Sequence, residues 1–317
     1  MMSLALSIKD VRDNAQKILS EVRKAVVGKG EVIQNIFIAL LCNEHVLLEG
    51  VPGVAKTHMA KNFSKVLGCI FKRIQFTPDM LPTDIIGTNV LDVKTGDFVL
   101  RKGPIFANII LADEINRAPP KTQSALLECM QEKQVTIEGK RHVLAPPFMV
   151  LATQNPVEME GTYPLPEAQV DRFLFKLMVE YPTEKEEVDL IKMMNNPEQI
   201  EVESVTNQET IAAMQQAVKT IHIDEDIMNF IRDIVFKTRN DPRILLGGSP
   251  RVSIALLNGA KARGAILGRD YCTPDDIKAI AKHVLLHRLI LKPEVELGGV
   301  SIDKVISDML NEVTVPT

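Results

Sequence analysis

The segment Gly50-Val-Pro-Gly-Val-Ala-Lys-Thr57 constrains this chain more than any other. It follows the apolar run His45-Val-Leu-Leu-Glu49, which reads as a short buried strand, and it opens the stretch Lys56 to Leu67, which reads as a helix. A glycine-rich turn from strand to helix aims backbone N–H groups and the positive end of a helix dipole at one point, and phosphate binds there. The phosphate-loop form is G-x-x-x-x-G-K-[ST], and the chain departs from it once, with Ala55 in place of the second glycine. Gly50 and Gly53 still free the turn, and Ala is the smallest residue that carries a Cβ. The candidate phosphate cradle is therefore Gly50, Val51, Pro52, Gly53, Val54, Ala55, Lys56 and Thr57. Lys56 would reach the β- and γ-phosphates, and Thr57 would offer its hydroxyl to Mg2+. The plainer alternative is a glycine-rich turn before an ordinary helix.

A second motif sits where the first one needs it. Ile109-Ile-Leu-Ala-Asp113-Glu114 places two carboxylates at the end of an apolar strand. Ligands of open parallel sheets bind beyond the carboxyl ends of the strands. Asp113 is placed to hold the Mg2+ shell, and Glu114 to orient and deprotonate an attacking water. The alternative is an acid pair capping the turn at Asn116-Arg117. Two motifs in the right order, each at a strand end, imply nucleoside triphosphate hydrolysis.

The rest of the chain supplies the frame. Phe71–Phe76, Asn108–Ala112, Phe148–Ala152 and Phe173–Val179 are further strand candidates, with Pro120–Glu132 as a helix between them. Strand and helix alternating in this way predict an α/β domain with a five-stranded parallel sheet and flanking helices over residues 1–181. After Tyr181-Pro182 the strands stop, and residues 182–317 read as a helical lid domain: Glu184–Met194, Glu209–Ile221, Asp224–Lys237, Ser249–Leu267, Thr273–Leu291 and Ser301–Glu312. Ser249-Pro250 and Thr273-Pro274 are helix-start signals. The 317 residues allow about two domains. The net charge of −4 argues against a dedicated duplex-DNA binder. No run reaches the roughly 18 apolar residues of a membrane span, and Lys9 and Asp10 interrupt the start too early for a signal-peptide core. Cys42, Cys69, Cys129 and Cys272 form no CxxC motif, so they read as structural thiols of a cytoplasmic protein.

The longer motifs resemble the MoxR family of AAA+ ATPases. The resemblance is carried by Leu111-Ala-Asp-Glu-Ile-Asn-Arg-Ala-Pro-Pro-Lys-Thr-Gln-Ser-Ala-Leu-Leu-Glu-Cys-Met-Gln-Glu132, by Ala152-Thr-Gln-Asn-Pro156, and by Glu160-Gly-Thr-Tyr-Pro-Leu-Pro-Glu-Ala-Gln-Val-Asp-Arg-Phe173. Gly268-Arg-Asp-Tyr271 with Thr273-Pro-Asp-Asp276 is similar to the family's lid, and Ala55 is the family's own form of the phosphate loop. The likeness runs from about Val26 to Leu291. It implies a sensor role toward the γ-phosphate or the water for Asn155, and an arginine finger acting on a neighbouring subunit's ATP for Arg172. It implies a second, lid-borne sensor for Arg251, and a segment packing the adenine for Val26, Val27 and Gly28. Residue chemistry leaves alternatives open: a turn former before Pro156, a salt bridge of Arg172 with Asp171 or Glu167, and a plain helix end at Gly28. Arg251 would stand at the unfavourable end of a helix dipole, which a bound anion would explain.

Gln134–Leu144 and Asn89–Leu100 read as hairpins turning at Glu138-Gly139 and near Gly96. The resemblance places such loops at a ring pore, while composition alone leaves them as solvated hairpins. The expectation is an ATPase with ATP between its two domains and Mg2+ as cofactor, working as a ring homo-oligomer (a hexamer on the resemblance). It would remodel or mature a client protein, with metal insertion as one such task and a partner bearing a von Willebrand A domain. Nucleic acid and membrane insertion are not expected. The rival readings are a slow nucleotide-dependent switch or binding module, and a DNA-loading ATPase.

Overall fold

The computed structural model describes residues 5–51, 53–155, 161–195 and 201–316. In chain order the first part runs α1 (Ile8–Ala25), α2 (Gly30–Leu41), β1 (Val46–Glu49), α3 (Lys56–Val66), β2 (Phe71–Gln75), α4 (Pro82–Ile86), β3 (Gly87–Leu91), β4 (Phe98–Lys102), β5 (Ile109–Asp113), α5 (Pro120–Glu132), β6 (Gln134–Ile137), β7 (Lys140–Val143), β8 (Met149–Gln154), α6 (Glu167–Val170) and β9 (Phe175–Met178). The second part is α7 (Glu184–Asn195), α8 (Gln208–Lys219), α9 (Glu225–Asn240), β10 (Ile244–Leu246), α10 (Pro250–Ile266), α11 (Pro274–Leu285), β11 (Ile290–Leu291), α12 (Pro293–Leu297) and α13 (Ile302–Glu312).

Five strands pair in parallel in the order β2-β5-β8-β1-β9. Successive residues alternate between two buried faces, because side chains of a strand point to opposite sides. Val46, Leu48, Ile109, Leu111, Phe175 and Leu177 pack on α1, α2, α3 and the lid helices in one core. Leu47, Ile74, Ile110, Ala112 and Val150 pack on α5 and the hairpin β6–β7 in another. The predicted fold class is thus observed, and both hairpins form where expected. β6 and β7 turn at Glu138 (φ +47°) and Gly139 (φ +79°), the left-handed pair that a two-residue hairpin turn requires. β3 and β4 close through the Asp92 N–H to Asp97 carbonyl bond, 2.8 Å.

The lid departs from the sequence reading in its strands, in the end of one helix and in the short helix α12, which was not expected. The strands do not stop at residue 182, since β10 and β11 form a short antiparallel pair. The expected helix Thr273–Leu291 ends at Leu285, and Ile290–Leu291 is strand. Tertiary contacts override helix propensity there: Arg288 donates to the carbonyls of Phe173 and Leu174 at 2.6 and 3.0 Å, pulling the chain toward β9. The starts fall as the caps dictate. Ser249 Oγ accepts the Arg251 N–H, and Thr273 forms a reciprocal capping box with Asp276.

Candidate functional site

β1 delivers Gly50 to the carboxyl end of the sheet. A Cβ on Gly50 would run into the Val179 carbonyl oxygen, so only glycine fits. Gly53 lies at φ +84° and Ala55 at φ +62°. Both are in the left-handed region, which costs a residue with a Cβ about 1–2 kcal/mol and a glycine almost nothing. That is the physical reason the loop form asks for glycine where this chain has alanine. Val54 is buried, Val51 and Thr57 are half-buried, and Pro52 lies outside the described residues. Lys56 Nζ donates to the Gly50 carbonyl at 2.6 Å. Burial lowers its ammonium from the ordinary lysine value, and Asp113, Glu114 and Glu49 act against that shift. Lys56 thus stands within electrostatic reach of both acids of the second motif.

Asp113 ends β5 on the face that α3 covers, and its two carboxylate oxygens have different partners. Oδ1 accepts the Thr153 hydroxyl at 2.6 Å. Oδ2 accepts Nε and Nη2 of Arg73 at 3.0 and 2.6 Å. Glu114 follows in the left-handed region, φ +56°, with its N–H donated to Thr153 Oγ1 at 2.8 Å. Its Oε2 accepts Gln75 Nε2 at 2.8 Å and pairs with Arg117 Nε at 3.2 Å. The Glu114 carbonyl accepts the Arg117 N–H at 2.9 Å, while among the described residues its side chain makes no capping hydrogen bond to the turn Ile115–Arg117 that follows. Asn155 is buried at the first position beyond β8, two residues from Thr153.

The donor set suits a magnesium nucleotide. Among the described residues no three His, Cys, Asp or Glu side chains cluster to cage a metal alone. A carboxylate and a hydroxyl, Asp113 and Thr57, are the hard oxygen donors that Mg2+ takes from a protein when phosphates and water complete its shell. Val26 is buried at the end of α1, Val27 is half-buried, and Gly28 turns at φ +71° against Glu186 of α7. His58 Nε2 of α3 lies 2.9 Å from the Ala25 carbonyl and ties this segment to the phosphate-loop helix. A cleft of about 470 Å3 opens between Gly28, Met178 and Glu180 on one side and Lys278, Lys282 and His283 of α11 on the other.

Arg172 and Arg251 are not part of this constellation. β1 and β9 run parallel with Val46 beside Phe175, and the Leu174 N–H reaches the His45 carbonyl at 2.9 Å. Arg172 therefore stands at the amino end of the sheet, whereas Gly50 stands at the carboxyl end. Five residue steps along β1 lead from His45 to Gly50, roughly 16 Å. Arg251, the lid-borne sensor that the resemblance implies, begins α10 at the same amino end. There it donates to Asp171 Oδ2 at 3.1 Å, so an internal carboxylate offsets its place at the dipole end in this structure. Asp171 also accepts Arg288 Nε at 2.7 Å. Its ion-pair partners are Arg251 and Arg288, the Ser249 hydroxyl also donates to it at 3.4 Å, and it forms no salt bridge with Arg172 among the described residues. Arg172 Nε is buried with no hydrogen-bond partner there.

A cavity of about 330 Å3 gathers Arg172, Arg251, Arg288 and Lys133 against two carboxylates, Asp171 and Glu44. Burial pushes the Glu44 carboxyl above its ordinary range and the Lys133 ammonium down to about 8.

Sequence reasoning missed Arg73, Gln75, Thr153 and Arg288. The alternation of β2, with Arg73 and Gln75 on one face around buried Ile74, was a visible signal. Their acidic partners depended on which strand lies alongside.

Comparison with known proteins places this geometry. Residues 45–175 match the ATPase family associated with various cellular activities (AAA), and residues 236–309 match the AAA lid domain. The chain is 48% identical over 301 residues to the uncharacterized protein YeaC of Bacillus subtilis, covering 95% of this chain and 94% of that one. It is 41% identical over 311 residues to the chaperone MoxR1 of Mycobacterium tuberculosis, covering 95% and 82%. The crystal structure of a candidate ATPase from Cytophaga hutchinsonii superposes with a TM-score of 0.92 at 42% identity, covering 98% of this chain and 97% of that one.

Proposed function

The chain belongs to the MoxR family of AAA+ ATPases, and from that premise we propose that it hydrolyses ATP with Mg2+ in a closed ring of copies, each completing its neighbour's site. The observation that carries this reading is the placement of Arg172 and Arg251 at the amino end of the sheet, opposite Gly50 and Lys56. A head-to-tail contact brings one copy's amino end to the next copy's carboxyl end, and such contacts close into rings. The planar guanidinium of Arg172 then meets the equatorial oxygens of a neighbour's transferring phosphoryl group.

Within one subunit, the loop from Gly50 to Thr57 cradles the phosphates and Lys56 leaves the Gly50 carbonyl for them. Glu114 takes the proton of the attacking water, with Arg117 beside it. Asn155 orients that water or the γ-phosphate, and Val26 to Gly28 pack the base. Thr57 and Asp113 are the residues that would hold Mg2+, which would neutralise phosphate charge there. The nucleotide domain ends at 181 and the lid begins at 182.

The output is remodelling or maturation of a client protein, in line with the relative named a chaperone, with metal insertion as one form of it. On the family resemblance the ring is a hexamer working in the cytoplasm beside a partner with a von Willebrand A domain.

Mixing tests the reading. Arg172→Ala and Glu114→Gln should each be nearly inactive alone. After subunit exchange, shown with differently labelled chains, an equimolar mixture leaves about one interface in four intact. A finger is worth about 10³–10⁵ in rate, so that fraction would stand far above background. A mixture that exchanges yet stays silent defeats the shared site, unless a titration of wild type with Arg172→Ala shows an all-or-none ring. Steady-state turnover with and without DNA separates this from a DNA-loading ATPase.

A further inference from the structure

We propose that Arg73 is a resident counter-ion of Asp113 that competes with the divalent cation, so that metal–nucleotide loading requires Arg73 to release Oδ2. The proposal rests on the reading of Asp113 as a metal-side carboxylate.

The two oxygens of Asp113 are held by partners of opposite character. Oδ1 takes the hydroxyl of Thr153, a residue only 1% exposed on β8 that has nowhere to go. Oδ2 takes two N–H groups of Arg73, whose side chain is 47% exposed and free to swing into water. One contact is a fixed support and the other is a removable cation. A guanidinium within 3.0 Å of the oxygen already satisfies its negative charge. A second cation brought there meets like-charge repulsion, so the two compete for the carboxylate.

The release of Arg73 is also felt at Glu114. Arg73 Nη2 donates to Gln75 Oε1 at 2.5 Å, and Gln75 Nε2 donates to Glu114 Oε2 at 2.8 Å. Gln75 stands opposite Asp113 in the β2–β5 ladder. Moving Arg73 takes away the donor that fixes the Gln75 amide, and the proton-accepting carboxylate loses a restraint as the metal arrives. Arg73 thus acts through Asp113 and Gln75 as a positioning residue.

The test is Mn2+ binding by the full chain with a non-hydrolysable ATP analogue, read by electron paramagnetic resonance. Mn2+ shares the carboxylate, hydroxyl and water preference of Mg2+. Arg73→Gln should bind Mn2+ about three- to tenfold more tightly, the worth of a half-exposed charge-assisted pair. Arg73→Lys keeps the charge and should fall between Arg73→Gln and wild type. Thr153→Val removes a support and not a competitor, so it should bind no more tightly than wild type. If Arg73→Gln melts like wild type and binds Mn2+ equally or more weakly, Arg73 supports the metal site and the competition is overturned. If wild type itself takes up no Mn2+ with the nucleotide, it is the reading of the site that fails.

Discussion

Asp171 and Arg288 form an ion pair of 2.7 Å that joins the chain just before β9 to the chain just after α11. The Arg288 side chain is 4% exposed and also donates to the carbonyls of Phe173, Leu174 and Val284. Arg251 shares the same carboxylate. One aspartate therefore fixes the lid against the sheet and sets the residue beside Arg172.

Removing that carboxylate leaves a buried guanidinium without its counter-charge. Asp171→Ala should cost about 3–5 kcal/mol of stability, read from urea unfolding. A loss below 1 kcal/mol would mean that Arg288 finds another partner or water.

Arg251 should behave like Arg172 in mixtures. Arg251→Ala and Glu114→Gln rings should regain turnover after exchange, because the subunit that keeps Glu114 borrows Arg251 from its neighbour. If Arg251 served its own subunit's nucleotide, the mixture would show only the sum of its parts.

Ala55→Gly should raise stability by about 0.5–1 kcal/mol. Relief of the left-handed backbone at φ +62° outweighs the extra freedom glycine brings to the unfolded chain. Ala55→Val should lower it. A lower urea midpoint for the glycine variant would show that this backbone carries no strain.

Thr153→Val should depress kcat, since it leaves the Glu114 N–H and an Asp113 oxygen without their partner, a cost of about 1–3 kcal/mol where groups are buried. Thr153→Ser keeps the hydroxyl and should restore turnover. Equal turnover in the two variants would mean that the hydroxyl does not position the acids.

Acid should weaken the fold through its buried imidazoles. Burial holds His45 and His287 well below the ordinary histidine value, and it lowers His283 as well. They stay neutral in the fold while the unfolded chain takes up protons below about pH 6.5. The unfolded state then binds more protons, so stability falls as pH drops, by up to about 1.4 kcal/mol per pH unit for each group. Urea unfolding at about pH 7.5 and 5.5 should differ by about 1–4 kcal/mol. A flat profile would place protonated or solvated imidazoles in the fold.

What the sequence determined by itself was local. The turn from Gly50 to Thr57, the acids at the end of an apolar strand, the Glu138-Gly139 turn and the capped starts of α10 and α11 all follow from backbone periodicity and a few residues' conformational preferences. Those preferences act over three or four positions and are written in order along the chain. Which groups meet across the sheet was not written that way. Thr153 reaches Asp113 because β8 lies beside β5, and Arg73 and Gln75 reach the acids because β2 adds at the edge in one register. The same packing sends Arg172 and Arg251 to the far end of the sheet and ends α11 early so that Arg288 can reach Asp171. Strand order and register are chosen by burying two apolar faces at once, a condition on the whole fold that no short segment carries.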